Sequence, residues 1–107
     1  GRLKEIINKG GEKISPLEVD NVLMDHPLID QAVCFGYEDK MLGENIASAI
    51  IIKSGETCSE NDVLEYAKEK LAKFKIPKKI FFVEEIPKGA TGKLQRNVLA
   101  KKFGLNN

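Results

Sequence analysis

The sequence predicts an α+β domain: a small, largely antiparallel sheet covered by helices and led by an N-terminal β-hairpin. Three observations predict it. Short β-branched runs alternate with segments of helical period, and the connections between them are short. The 107 residues, 42% of them apolar, suffice for one core and not for two.

Ile6 and Ile7 lead into Asn8-Lys9-Gly10-Gly11 and then Glu12-Lys13-Ile14, two extended pieces around a glycine turn, hence a hairpin with Gly10-Gly11 at its tip. Ser15-Pro16-Leu17-Glu18 predicts a helix start, with Ser15 as N-cap, Pro16 at the first helical position and Glu18 closing a capping box. Val19, Val22, Leu23 and His26 follow at helical spacing, and Pro27 stops the helix. Residues 29–37 and 46–52 are apolar runs of strand length, separated by a polar loop containing Gly43. Ser59-Glu60-Asn61-Asp62 caps a second helix whose inward stripe is Val63, Leu64, Ala67 and Leu71, and Lys75-Ile76-Pro77 interrupts it. Ile80 to Val83 is a third strand candidate. After the loop from Pro87 to Lys93, residues 95–103 predict a last helix ending before Gly104.

Composition narrows the function. The net charge is +1, which argues for no nucleic-acid partner, and no apolar run reaches the length of a membrane span. The charge is uneven: residues 1–62 hold six Lys/Arg against twelve Asp/Glu, residues 63–107 eleven against four, so about −6 is followed by +7. An anion site would draw on the second half. Cys34, Cys58 and the single His26 offer no zinc ligand set, and the thiols read as small apolar side chains in a reducing compartment, with the cytoplasm as the expected location. The start at Gly1, without an initiator methionine, is read as a cut from a longer protein.

Pro87-Lys88-Gly89-Ala90-Thr91-Gly92-Lys93 is the segment richest in chemistry: a flexible, donor-rich loop delivering a lysine beside a helix start, a composition that suits phosphate. Taken alone it fits an exposed turn as well, and Gly10-Gly11 alone fits an ordinary hairpin. The two occur together, however. The stretch Gly1-Arg2-Leu3-Lys4-Glu5 through Gly10-Gly11-Glu12-Lys13-Ile14-Ser15-Pro16 closely resembles the hinge and hairpin motif opening the C-terminal domain of adenylate-forming enzymes. These are the acyl-CoA synthetases, aryl-acid ligases, luciferases and peptide-synthetase adenylation domains. Ile86-Pro87-Lys88-Gly89 through Gly92-Lys93-Leu94-Gln95-Arg96 resembles their terminal lysine motif, with His26-Pro27, Gly43-Glu44 and Lys75-Ile76-Pro77 as landmarks between.

The resemblance implies a two-step acid-CoA ligase. A carboxylate attacks the α-phosphate of ATP, and a thiol then displaces AMP from the acyl-adenylate. It implies that Lys93 is the adenylation lysine, that Arg2 reaches the ribose hydroxyls, and that Lys13 sits near the nucleotide or the thioester site. Lys4 would be the hinge about which the domain rotates, so that Gly10, Gly11 and Glu12 come to line the CoA pantetheine tunnel. ATP with Mg²⁺ and CoA are the implied cosubstrates. The implied partner is an N-terminal domain of the same polypeptide that binds ATP and the carboxylic acid, without which residues 1–107 are expected to be inactive. Leu42 falls where some relatives carry a CoA-contacting arginine, and the lysines from Lys68 to Lys79 fit either the phosphorylated end of CoA or a solvated face. Two alternatives stay open: an aryl-acid or amino-acid adenylating domain that loads a carrier protein, and a free-standing anion-binding module.

Overall fold

The computed structural model describes residues 6–87 and 96–105. Strands β1 (Ile7–Lys9) and β2 (Glu12–Ile14) form the hairpin, followed by helix α1 (Pro16–Met24), the long strands β3 (Ile29–Asp39) and β4 (Gly43–Ile52), and helix α2 (Glu60–Lys70). A 3₁₀ turn (Lys73–Lys75), strand β5 (Lys79–Phe82), a second 3₁₀ turn (Arg96–Val98) and the short helix α3 (Leu99–Lys102) complete it. This is the predicted order and the predicted class.

The sheet runs β2-β1-β4-β3, with β5 also joined to β4. β4 is its centre. One edge of β4 pairs antiparallel with β3 from Ile29↔Ile52 to Asp39↔Gly43, and its other edge is shared by β1, at Lys9↔Gly43, and by β5, at Ala47↔Lys79 through Ile50↔Phe82. The β4–β5 pairing is parallel, which requires a crossover, and α2 with the first 3₁₀ turn supplies it.

Apolar side chains occupy both faces of the sheet. On one face Ile7, Ile14, Ala32, Cys34, Ile46 and Ile50 pack under Val19 and Leu23 of α1 and Val63 and Ala67 of α2. On the other, Val33, Phe35, Ala47 and Ala49 meet Ile86, Leu99 and Ala100. Phe103 completes that side by stacking on Phe81 and Phe35, with ring centroids 4.6 and 5.7 Å away. A strand covered on both faces reads as an unbroken apolar run, which is why the sequence showed no polar alternation there.

Three local expectations are corrected. Ser15 has the extended backbone of an N-cap, yet the capping box does not form: the Glu18 N–H donates to the Ser15 carbonyl at 3.2 Å instead of the hydroxyl, and the Glu18 side chain pairs with Lys75 at 2.9 Å. The buried stripe of α1 is Pro16, Val19, Asp20 and Leu23: His26 lies past the helix end and Val22 is only partly covered. The polar loop between the long strands shrinks to residues 40–42, because the polar residues flanking it are paired within the ladder as Glu38↔Glu44 and Tyr37↔Asn45. By contrast the Ser59–Asp62 capping box forms in both directions, at 3.0 and 3.1 Å. Among the described residues no helix is long and apolar enough to cross a membrane.

Candidate functional site

The hairpin turn places Gly10 at φ 57° and Gly11 at φ 93°, the two positive values that a two-residue turn of this hand demands and that side-chain-bearing residues resist. Asn8 closes the turn by accepting the Gly11 N–H on Oδ1 at 3.2 Å. The tip is docked rather than free: the Gly10 N–H donates to the Leu42 carbonyl at 2.7 Å, and the Asn8 N–H donates to Glu44 Oε1 at 2.8 Å. On the hairpin's other side Lys9 Nζ donates to the Phe74 carbonyl at 3.1 Å.

The ground on which the tip rests is itself organised by Asp39. Its Oδ1 accepts from the backbone N–H groups of Met41 and Leu42, each at 2.9 Å, and its Oδ2 accepts from Asn45 Nδ2 at 3.1 Å. The Leu42 bond, then those of Asn45 and Met41, hold the Asp39 carboxyl below its ordinary range. A Cβ at Gly36 would come within 2.8 Å of Glu44 Oε2, so a larger residue there would have to displace the carboxylate.

A second cluster lies at the end of the lysine loop. Arg96 Nη1 is 2.7 Å from Asp20 Oδ2 and donates to the Cys34 carbonyl at 3.0 Å, while the Cys34 N–H donates to Asp20 Oδ1 at 2.6 Å. This ring ties α1, β3 and the second 3₁₀ turn together, with side-chain exposures of only 12% for Arg96 and 4% for Asp20. Burial, and then the Asp20 carboxylate, push the Cys34 thiol far up, so Cys34 is an inert part of the scaffold. Burial and then Asp62 likewise raise the Cys58 thiol.

The two clusters face one cavity of about 250 Å³. Ile6, Ile7 and Glu44 line it from the hairpin side, Arg96 and Asn97 from the side of the loop, with Phe35 among the remaining walls. Segments from opposite ends of the chain are thus gathered at one place.

Of the residues singled out in the sequence, Gly10, Gly11, Glu12 and Lys13 sit together and exposed on the hairpin, with Lys13 opposite Asn8 and Glu12 opposite Lys9. Arg2, Lys4 and Lys93 lie outside the described residues. Several of the clustered lysines have local partners: Lys68 pairs with Glu65 at 3.3 Å, Lys75 with Glu18, Lys70 lies over Tyr66 and Lys79 over Tyr37. His26 accepts the Leu28 N–H on Nδ1 and meets Tyr66 edge to face, a role in packing. No group of three or more His, Cys, Asp or Glu side chains among the described residues could hold a metal ion. Sequence reasoning missed Asp20, Asp39 and the strut role of Glu44. For Asp20 a signal existed: a carboxylate on the apolar stripe of α1 announces a buried partner.

Residues 18–93 match the family model described as AMP-binding enzyme C-terminal domain. An oxalate–CoA ligase of Saccharomyces cerevisiae is 50% identical over 103 residues, which is 96% of this chain and 19% of that protein. A probable CoA ligase of Humulus lupulus is 52% identical, again over 96% of this chain and 20% of the relative. Among solved structures, apo MatB from Rhodopseudomonas palustris superposes with a TM-score of 0.87 at 32% identity, covering 96% of this chain and 21% of that one. An o-succinylbenzoate CoA synthetase double mutant from Bacillus subtilis, bound to a product analogue, superposes with a TM-score of 0.81 at 38% identity, covering 94% and 20%. The chain therefore spans about a fifth of the length of the relatives it matches.

Proposed function

The chain belongs to the AMP-binding enzyme C-terminal domain family, and from that premise we propose that it is the mobile C-terminal domain of an ATP-dependent acid-CoA ligase. An upstream domain of the same polypeptide holds ATP with its Mg²⁺ and the carboxylic acid. The observation that supports this reading is the match of residues 18–93 to that family, together with the CoA ligases of which this chain spans about a fifth. The hairpin and the lysine motif, far apart in sequence, then serve one active site in turn.

In the first step a carboxylate oxygen of the acid bonds to the α-phosphorus of ATP while the bond to the bridging oxygen breaks, releasing pyrophosphate. Lys93 offsets the charge that gathers there. At about 4 Å and an effective dielectric near 20, one such pair contributes on the order of 4 kcal/mol before desolvation. Arg2 holds the ribose hydroxyls. In the second step the CoA sulfur, having lost its proton, attacks the acyl carbonyl and AMP leaves. The domain turns about Lys4 between the steps, exchanging Lys93 for the hairpin, so that Gly10, Gly11, Glu12 and Lys13 border the pantetheine arm. Backbone without side chains at the tip leaves room for a narrow ligand.

The test uses the enzyme with its upstream domain. Lys93→Ala is expected to lower ATP–pyrophosphate exchange by about a hundredfold or more and to leave thioester formation from pre-formed acyl-adenylate largely intact. Equal retention of both half-reactions would reduce the loop to a turn and sink the proposal.

A further inference from the structure

We infer that the buried Asp20–Arg96 pair is a positioning device for the adenylation step, aiming the lysine loop through its downstream end. This rests on the reading of Lys93 above and deepens it. Arg96 stands three positions after Lys93 in the chain, and three residues reach at most about 11 Å even when fully extended. Fixing Arg96 therefore fixes a point to which Lys93 is tethered at short range.

The form of the anchor argues for aim rather than bulk stability. A buried ion pair costs desolvation on both partners, and an apolar side chain of similar volume commonly serves stability as well or better. What the pair supplies is direction. One terminal nitrogen, Arg96 Nη1, is held at 2.7 Å by Asp20 Oδ2 and at 3.0 Å by the Cys34 carbonyl, so the end of the side chain is pinned between α1 and β3. Asp20 is fixed in turn by the Cys34 N–H at 2.6 Å, and its helix is packed on the central sheet. The upstream flank is held differently, by burial of Ile86 among Phe35 and Leu99. Apolar burial resists withdrawal and specifies orientation weakly; the ion pair specifies orientation.

The contacts that dock the hairpin tip run through Leu42 and Glu44. The two half-reactions should therefore respond differently to loss of the pair. The variants are Asp20→Asn, which keeps an acceptor for the Cys34 N–H and removes the charge, and Arg96→Lys, which keeps the charge and replaces the planar guanidinium by a shorter, freely rotating ammonium. In the enzyme carrying its upstream domain, each is expected to lower kcat for ATP–pyrophosphate exchange by about ten- to a hundredfold while KM for ATP moves less than about threefold. Thioester formation from pre-formed acyl-adenylate should stay within about twofold. The double variant should lose no more than the worse single one, as partners in one contact do.

Parallel loss of both half-reactions, a change in KM alone, or no change would overturn the inference. If Arg96→Lys fails to fold, Asp20→Asn, its fold checked by thermal melting, decides by the same readouts. Lys93→Ala, run beside them, separates the two claims. Adenylation lost with Lys93→Ala and kept with Asp20→Asn removes only the positioning role, whereas adenylation kept with Lys93→Ala removes the reading of Lys93 and the positioning role with it.

Discussion

The hairpin and the segment at Arg96 face the same cavity and are held by opposite means. The hairpin is fastened at its tip by neutral backbone groups and half-exposed carboxylates, which water can replace one at a time. The Arg96 segment is fastened by a charged ring sealed between α1 and β3, which is either intact or costly. The difference suits the two proposed duties. A lining for a flexible thiol arm needs shape and clearance, whereas a lysine that must meet developing charge needs a fixed origin.

The sharpest way to break this contrast is Arg96→Met, which leaves the Asp20 carboxylate buried without its guanidinium. Urea unfolding of the chain should lose about 3–5 kcal/mol; a loss below about 1 kcal/mol would put the ion pair on a level with the hairpin contacts and erase the distinction. Next comes Gly10→Val, which forces a branched side chain to φ 57° and sets its Cβ 3.0 Å from Leu42 Cδ2. The left-handed backbone alone costs about 1–2 kcal/mol. Thioester formation should slow while pyrophosphate exchange keeps its rate; a fall in exchange instead would mean that the hairpin serves the first step too.

The smallest effect concerns the ground under the hairpin. The Asp39 carboxyl is held below its ordinary value of 3.8 by its bonds from Leu42, Asn45 and Met41. Its contribution is therefore complete above that value and is lost as the pH falls through the lower folded value. The unfolding midpoints of the wild type and Asp39→Asn should differ by a constant amount between pH 5 and pH 8 and converge in acid below about pH 4. A gap that widens in acid would contradict the assignment.

Element order and class were legible in the sequence because each element carries its own local signal, such as the Gly10-Gly11 turn, the Ser59–Asp62 box and the β-branched runs. Pairings between distant segments were not. Nothing in Lys79-Ile80-Phe81-Phe82 tells that it runs parallel to β4, since a four-residue apolar strand is compatible with either direction. Glu18 shows the same limit at the level of a single side chain: the local pattern offered it a capping box, and Lys75, far along the chain, won it. In the candidate site the hairpin turn was readable from Gly10-Gly11 itself. Asp39 and Glu44 were not, because their roles exist only once the β3–β4 turn brings the hairpin tip against them.

The strand at the hairpin edge of the sheet, β2, is three residues long, carries Glu12 and Lys13 exposed, and follows directly on two glycines. So short and charged an edge is a poor template for another chain. For a domain proposed to change seats between the half-reactions, this has a colloidal consequence. The strand can enter solvent again and again without nucleating cross-β assembly, so crowding in a concentrated solution need not tax the motion itself.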